Sequence, residues 1–168
     1  MTNNDLITTQ QQVIDLFDYK DGNLYWRINP RKIGNEIKPG SIAGTLVSGG
    51  TYIAVQYKRK RYFAHILIFL YHYGWVPEQI DHIDTNPLNN KIENLRAATP
   101  SQNQYNKHAQ KNNVLGVKNV SKNGNKYYVG FKINGKFTRI GSFYSIKDAE
   151  TAAREFRAKL HGEFARHD

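Results

Sequence analysis

The sequence predicts an α+β protein in which short antiparallel strands and a few helices follow one another in local groups. Three observations carry this prediction. Residues 80–103 have the pattern strand, loop, strand and helix, with the loop broken by the Asn-Pro pair at 86–87. Residues 127–133 alternate apolar and polar side chains ahead of the Asn-Gly pair at 134–135, a strong hairpin signal. Residues 145–160 then show helical spacing of apolar side chains.

The net charge of +10 on the 168-residue chain is concentrated in one region. Residues 1–57 carry five Lys or Arg against five Asp or Glu, whereas residues 111–139 carry seven Lys or Arg and no acid. Such a basic stretch is typical of a protein that binds a polyanion, because Lys and Arg displace counterions from phosphates. An anionic membrane surface would also attract it.

Hydropathy and cysteine usage exclude several classes. No apolar run approaches the about 18 to 20 residues that a membrane-spanning helix needs, and the N-terminus lacks the regions of a signal peptide. We therefore expect a soluble, cytoplasmic protein without a membrane partner. The chain has no cysteine, so any metal ion must be bound by oxygen or imidazole ligands.

The N-terminal part predicts a short helix followed by several strands. Thr9 and Gln12 have the spacing of a capping box at the start of a helix over residues 9–18. An Asp-Gly-Asn turn at 21–23 comes next, and glycines separate short strands up to Val55. We interpret this helix and these strands as scaffold.

An almost wholly apolar segment, residues 64–73, predicts a buried helix that ends at Gly74. His65 and His72 lie seven residues apart on one face of it, where a metal pair is conceivable. A partly buried histidine is more often a hydrogen-bonded packing residue, and we interpret His65 as structural.

Four consecutive cations, Lys58, Arg59, Lys60 and Arg61, separate a strand at 52–57 from the apolar segment. Two interpretations stay open for them. They form either a solvated turn or a basic hairpin tip that contacts DNA phosphates.

The C-terminal part predicts a three-stranded meander and one helix. A turn at Asn123-Gly124 precedes the first long strand, and Ser145 caps the helix. The apolar stripe of that helix covers one sheet face and comprises Ala149, Ala152, Ala153, Phe156 and Leu160. The other face is expected to be basic, aromatic and exposed, a surface suited to a DNA groove. Its predicted members are Tyr128, Lys132, Lys118, Lys122, Lys136 and Arg139.

Asp81, His82, Asn94 and Asn103 are the candidate catalytic and metal-binding residues. Phosphodiester hydrolysis needs a base to activate water and a cation to neutralise the phosphate. His82 could be the base, and oxygens of Asp81 and Asn103 suit Mg²⁺ or Mn²⁺. From the residues alone an alternative stays open, because an Asp-His pair is common and asparagines in loops are often turn formers.

Residues 80–103 resemble the HNH nuclease motif in the variant whose last histidine is asparagine. The matching segments are 64–67, Gly74, 80–84, 89–90, 93–96 and 101–103, and they are similar to phage and intron-borne HNH homing endonucleases. The resemblance implies a ββα-metal fold with Asp81 and Asn103 as metal ligands, His82 as the general base and Asn94 as the residue that orients the loop. It also implies that the product bears a 5′ phosphate. The missing final histidine argues against a zinc-preferring site.

The segments 115–117, 126–129, 134–136, 140–143, 148–149, 152–153 and 162–164 carry a second resemblance. Through them, residues 114–164 resemble the AP2 DNA-binding domain, which binds the major groove with a three-stranded sheet braced by one helix. Tyr127 stands where that domain usually has tryptophan, and Gly130 stands at a face position that is usually basic. The predicted organisation is an HNH nuclease domain over residues 1–106, with an N-terminal β-rich segment to residue 62 and a core over 63–106. A linker at 107–114 and an AP2-like domain over 115–168 follow.

The resulting hypothesis is a metal-dependent endonuclease of the homing type that hydrolyses double-stranded DNA with Mg²⁺ or Mn²⁺. We expect a monomer without a small-molecule substrate. A sequence-specific DNA-binding protein with a degenerate nuclease centre is the alternative, and an RNA-binding module is a third hypothesis.

Overall fold

The computed structural model describes residues 6–30, 36–105, 113–133 and 135–165. The chain divides into two compact units, Met1–Pro100 and Ser101–Asp168. Within the described ranges, no helix is long and apolar enough to cross a membrane.

The helices are α1 (Gln10–Leu16), α2 (Ala64–Tyr73), α3 (Pro100–Tyr105) and α4 (Ile146–His161). The strands are β1 (Phe17–Lys20), β2 (Asn23–Trp26), β3 (Ile42–Ala43), β4 (Thr45–Val47), β5 (Tyr52–Tyr57), β6 (Lys60–Phe63), β7 (Gln79–His82), β8 (Leu95–Ala98), β9 (Val120–Asn123), β10 (Lys126–Ile133) and β11 (Lys136–Phe143). They form four small antiparallel sheets, in the orders β1-β2-β3, β4-β5-β6, β7-β8 and β11-β10-β9. This mixture of helices with local antiparallel sheets is compatible with the predicted α+β class.

The first unit begins with a capped helix and a hairpin. The Thr9 side chain accepts from the Gln12 backbone N–H, and Gln12 bonds back to Thr9, which confirms the predicted capping box. The β1–β2 hairpin then brings the Phe17 and Trp26 rings to 4.6 Å between centroids, and both side chains are buried. The N-terminal segment thereby supplies part of the core of this unit.

Helix α2 forms the centre of that core. It is buried at Ala64 and from Leu67 to Leu70, and it ends at Gly74 in the left-handed conformation, as predicted. A residue with φ of 76° favours glycine, because a Cβ is strained there. The helix starts directly after β6, so its first turn is held against the β5–β6 hairpin.

The four cations at 58–61 do not lie in a single turn. Lys58 and Arg59 form the two-residue turn between β5 and β6, both with positive φ, whereas Lys60 and Arg61 belong to β6. All four are exposed. Lys58 and Arg59 alone therefore form the hairpin tip, and this geometry is compatible with both a solvated turn and a basic tip that contacts DNA.

Strands β7 and β8 form the hairpin that the sequence predicts, and α3 follows directly. The register pairs Asp81 with Arg96 and His82 with Leu95. A loop of Asx turns and one 3-10 turn, Ile92–Asn94, connects the strands. The predicted order of strand, loop, strand and helix is confirmed.

The second unit is a meander with α4 packed on one face. Val129 and Phe131 of β10 are buried, and Tyr127 and Ile133 pack against the same cluster, which confirms the predicted core face. The first turn lies one residue later than predicted, since Asn123 pairs with Lys126 and the turn consists of Gly124 and Asn125. Asn134 of the second predicted turn lies outside the described residues.

The apolar stripe predicted for α4 is wrong at its last position. Leu160 is 38% exposed, whereas Arg157 is only 2% exposed. The Arg157 guanidinium donates to the Asn119 side chain and to the Lys118 carbonyl, so it fixes the segment that enters β9. Helical periodicity alone does not distinguish a buried, hydrogen-bonded arginine from a solvated one.

The structure moves three predicted DNA-binding lysines off the exposed face of the sheet. Residues paired across antiparallel strands share a face. Lys122 pairs with Tyr127 and Lys136 pairs with Ile133, so both lie on the face that carries α4. Lys118 precedes β9 and lies on neither face.

Candidate active site and nucleic-acid interface

Asp81 and His82 are the last two residues of β7, and both side chains are buried. Their exposures are 4% and 8%, whereas an unpaired carboxylate or imidazole would normally face water. Successive strand residues point to opposite faces, so the two side chains have different neighbours. Arg96 contacts the first, and Asn90 with His65 contacts the second.

The Asp81 carboxylate is held by Arg96, its cross-strand partner. Both Nε and a terminal nitrogen of Arg96 lie 2.8 Å from the same oxygen, Oδ2 of Asp81. Arg96 is itself mostly buried, so little water screens the pair. The register of the hairpin thus places Arg96 where its positive charge compensates the buried carboxylate of Asp81.

His82 is hydrogen-bonded to Asn90, a residue of the loop. The distance from Nε2 of His82 to Oδ1 of Asn90 is 3.0 Å. A carboxamide oxygen accepts only, so Nε2 donates its proton in this contact. The neutral tautomer that this contact selects has its lone pair on Nδ1. This arrangement suits a base that acts through Nδ1.

His65, at the start of α2, contacts His82 edge to face with 5.3 Å between ring centroids. It also stacks on Phe63. Burial, with the neighbouring His82 as a smaller cause, lowers the pKa of His65 from 6.5 to about 4. His65 is therefore neutral near pH 7 and adds no positive charge beside His82.

The Asn94 side chain connects the end of the loop to two residues earlier in the loop, Asp84 and Asn89. Its Nδ2 donates to Oδ1 of Asp84 at 2.9 Å and to the Asn89 carbonyl at 2.7 Å, and its Oδ1 accepts from the Asp84 backbone N–H. Asn89 and the backbone of Asn86 also donate to Asp84. Partial burial raises the pKa of Asp84, but these hydrogen bonds, chiefly that from Asn89, bring it below its ordinary value. The loop is organised around an ionised Asp84.

The exposed face of the C-terminal sheet carries cations interleaved with aromatic rings. Arg139 stacks on Tyr128 at 4.3 Å from the ring centroid, and Lys126 lies 4.9 Å from the centroid of Tyr144. Lys132 pairs with Phe137 on the same face. Of the residues predicted for this face, Tyr128, Lys132 and Arg139 lie on it, and Lys126 joins them.

Phe137 covers a glycine on that face. A Cβ on Gly130 would lie 2.2 Å from the Phe137 ring, and Phe137 is 74% exposed. The position where the AP2 resemblance leads one to expect a cation is therefore occupied by an aromatic ring.

The comparisons with known proteins support the motif at 80–103. Residues 62–105 match the family model described as HNH endonuclease. The chain carries an HNH endonuclease domain. It is 38% identical over 94 residues to an uncharacterized HNH endonuclease of Acanthamoeba polyphaga mimivirus. The aligned region covers 55% of this chain and 49% of the relative. The chain thus matches about half the length of that relative.

A second relative is matched over most of its length. The chain is 34% identical over 109 residues to Protein 3.8 of Escherichia phage T7, with 61% of this chain and 87% of that protein covered. At this coverage the chain belongs to the same family as Protein 3.8. No solved structure gives a significant match.

Asp81 and Asn103, the two candidate metal ligands, both offer oxygen donors. Among the described residues, no group of three or more His, Cys, Asp or Glu side chains is placed to hold a metal ion. A carboxylate and an amide oxygen, with water completing the shell, are the kind of donor set that Mg²⁺ takes. Asp81 and Asn103 are such donors, and Asn103 is a half-buried residue of α3 beyond the boundary between the units. An ion at Asp81 would bind the carboxylate whose Oδ2 Arg96 already holds.

Sequence reasoning gave no role to three residues around Asp81 and His82, namely Asn90, Arg96 and Asp84. It interpreted His65 as structural, with lining of the site as the lesser alternative, and the structure places its ring against His82. A signal existed for Arg96, because pairing His82 with Leu95 in a hairpin sets Arg96 opposite Asp81. No comparable signal singles out Asn90 from the other asparagines of the loop.

Proposed function

We propose that this protein is a metal-dependent endonuclease of the homing type that cuts double-stranded DNA. The observation that carries the proposal is the adjacent, buried pair of Asp81 and His82 at the end of β7, within the segment that matches the HNH family. His82 is proposed as the general base, and Asn94 as the residue that holds the loop in place.

Asp81 and Asn103 are proposed to hold one divalent ion, Mg²⁺ or Mn²⁺. When bound, such an ion stabilises negative charge on the phosphate and on the departing 3′ oxygen. The hydrogen bond from Arg96 orders the Asp81 carboxylate in the absence of the ion.

His82 would take a proton from the attacking water through Nδ1. The contact from Nε2 to Asn90 fixes the plane of the ring, and neutral His65 packs against one edge of it. A fixed, neutral imidazole is suited to general-base catalysis near neutral pH. The hydrolysis would leave a 5′ phosphate and a 3′ hydroxyl.

The exposed face of the C-terminal sheet is proposed to hold the duplex. Its cations Lys126, Lys132 and Arg139 would neutralise backbone phosphates, and the aromatic rings would contact the groove. The exposed cations Lys58, Arg59, Lys60 and Arg61 are proposed as further phosphate contacts. We also propose that the protein acts as a monomer in the cytoplasm of a prokaryotic or phage-infected cell.

Metal dependence and product chemistry test the proposal together. Supercoiled plasmid incubated with the protein and Mg²⁺ should be nicked or linearised, and chelation by EDTA should abolish cutting. DNA ligase should reseal the breaks, because ligation needs a 5′ phosphate. Asp81→Ala and Asn103→Ala should abolish cutting or require more Mg²⁺, whereas Asp18→Ala, which removes an exposed acid on β1, should cut like the wild type.

A DNA-binding protein with an inactive centre is the competing function. The Asp81–Arg96 ion pair favours it, because a cation already occupies one oxygen of the proposed metal ligand. Duplex binding without any break under Mg²⁺ or Mn²⁺ would select this function, and metal-dependent breaks would exclude it.

A further inference from the structure

The loop of the HNH domain contains a buried asparagine with only one half of its side chain satisfied. Asn90 is 2% exposed, and its Oδ1 lies 3.0 Å from Nε2 of His82. Among the described residues, its Nδ2 has no hydrogen-bond partner. A buried amide donor without a hydrogen-bond partner is unfavourable. A leucine of similar volume would fill the same space without burying an unsatisfied donor. Packing therefore does not explain an asparagine at this position.

The other half of the amide has a specific effect on His82. Because Oδ1 only accepts, it selects the tautomer with the proton on Nε2 and leaves the ring lone pair on Nδ1. It also fixes the rotation of the ring. Both consequences matter for a base that must face one water molecule.

The N-terminal hairpin holds the backbone that carries Asn90. Gly22, with φ of 82°, lies so close that a Cβ on it would be 2.8 Å from the Lys91 nitrogen and 3.0 Å from the Asn90 carbonyl carbon. The Tyr19 hydroxyl accepts from the Ile92 N–H at 3.0 Å. The β1–β2 hairpin thus restrains residues 90–92 from outside the loop.

We propose that Asn90 is a positioning residue, whose Oδ1 holds His82 in the tautomer and orientation that present Nδ1 to the attacking water. The Gly22 turn and Tyr19 of the N-terminal hairpin keep Asn90 in place for this task. The inference rests on the proposed nuclease function and extends it to a residue that does not touch the substrate.

Two substitutions separate this role from a packing role. Asn90→Leu removes the acceptor of the His82 Nε2–H, so it should lower kcat by about 100-fold or more, with KM for duplex DNA within about twofold. Asn90→Asp keeps an acceptor for Nε2–H and should retain far more activity than Asn90→Leu. Asn86→Ala, in the same loop but without a contact to His82, is the control for loop disturbance and should cut within about twofold of the wild-type rate.

Restraint by the hairpin is tested by Gly22→Ala. The added Cβ would displace the backbone at residues 90–91, so kcat should fall while DNA affinity measured in EDTA stays unchanged. Full activity of Gly22→Ala would refute the restraining role of the hairpin.

The tautomer gives a measurement that does not depend on cutting. The ¹⁵N chemical shifts of the His82 ring, recorded on metal-free full-length protein at a pH alkaline enough to deprotonate imidazolium, should show a protonated Nε2 and an unprotonated Nδ1. In Asn90→Leu the two tautomers should mix. A proton on Nδ1 in the wild type, or equal kcat for wild type and Asn90→Leu, would overturn the proposal. A protein that never cuts DNA would refute the nuclease function, while these shifts would still decide the role of Asn90.

Discussion

At the scale of single residues, Arg96 forms an ion pair with Asp81 when no metal ion is bound. The ion pair is almost fully buried, in contrast to the exposed pair of Arg27 and Asp18 at 3.5 Å on the first hairpin. Breaking a buried pair leaves a charge without compensation, whereas exposed pairs contribute little. The two arginines are therefore a matched test of how much the buried pair stabilises the unit.

Arg96→Met should lower the free energy of unfolding of the N-terminal unit by about 3 kcal/mol, and Arg27→Met by less than about 1 kcal/mol. Urea unfolding followed by tryptophan fluorescence measures this, because Trp26 and Trp75 both lie in that unit. Equal losses for the two variants would mean that Asp81 does not depend on Arg96.

The lowered pKa of His65 predicts a pH dependence of stability. A histidine with a pKa of about 4 in the folded state and 6.5 in the unfolded state makes the protein lose stability as the pH falls from about 6.5 to about 4. The full loss is about 3 kcal/mol. Urea midpoints measured by tryptophan fluorescence in EDTA should show this slope, and His65→Phe should flatten it.

His72→Phe is the control, since His72 is exposed on the same helix. It should leave most of the slope intact. A slope that survives in His65→Phe would show that another group takes up the proton.

Sequence reasoning selected Asp81 and His82 as candidates, but it did not select the residues that contact them. Asp81 and His82 stand out because an acid and an imidazole adjoin at a strand end. Asn90 and Asn94 are both loop asparagines, and only the three-dimensional course of the loop directs one to His82 and the other to Asp84. Arg157 was missed for a similar reason, because its partners lie 38 and 39 residues away.

At the scale of elements, pairing between strands decides which cations of the C-terminal sheet face outward. Alternation along β10 predicts its two faces correctly. The prediction for Lys118, Lys122 and Lys136 rests on their charge alone and is wrong. Lys136 pairs with Ile133 across β10 and β11 and therefore lies on the helix side of the sheet. The pairing itself could have been derived from the predicted turn.

A β-bulge in β11 could not have been derived. Val129 of β10 pairs with Gly141 and Gly130 pairs with Arg139, so Ile140 has no pairing partner on β10. As a result Ile140 and Phe143 both pack in the core, whereas Arg139 stays on the exposed face beside Tyr128. Strict alternation would have sent one of the two apolar side chains to the exposed face.

The exposed face should dominate DNA affinity. Lys132→Ala should weaken binding and reduce the slope of log K against log salt by about one unit, because one phosphate contact is lost. Lys122→Ala removes the same charge from the helix side of the same sheet and should leave the slope unchanged. Titrations in EDTA measure binding without cutting, and identical slopes for the two variants would refute the assignment of this face.

At the scale of the whole molecule, the chain combines two units. The first contains the buried Asp81 and His82 side chains, and the second has a sheet with an exposed basic face. The boundary between the units falls after Pro100, whereas the predicted linker at 107–114 lies outside the described residues except for its last two positions. The positive charge is concentrated in the second unit, and Asp81 and His82 lie in the first. Holding the duplex and cutting it should therefore be separable by mutation.

The most direct test of the nuclease account is the single-turnover cleavage rate of His82→Ala in Mg²⁺. We predict a fall of about 10² to 10⁴ in the rate constant, the contribution expected of a general base, with duplex affinity in EDTA equal to that of the wild type. Exposed His72, substituted in the same way, should leave the rate unchanged. Cleavage by His82→Ala at the wild-type rate would contradict the account.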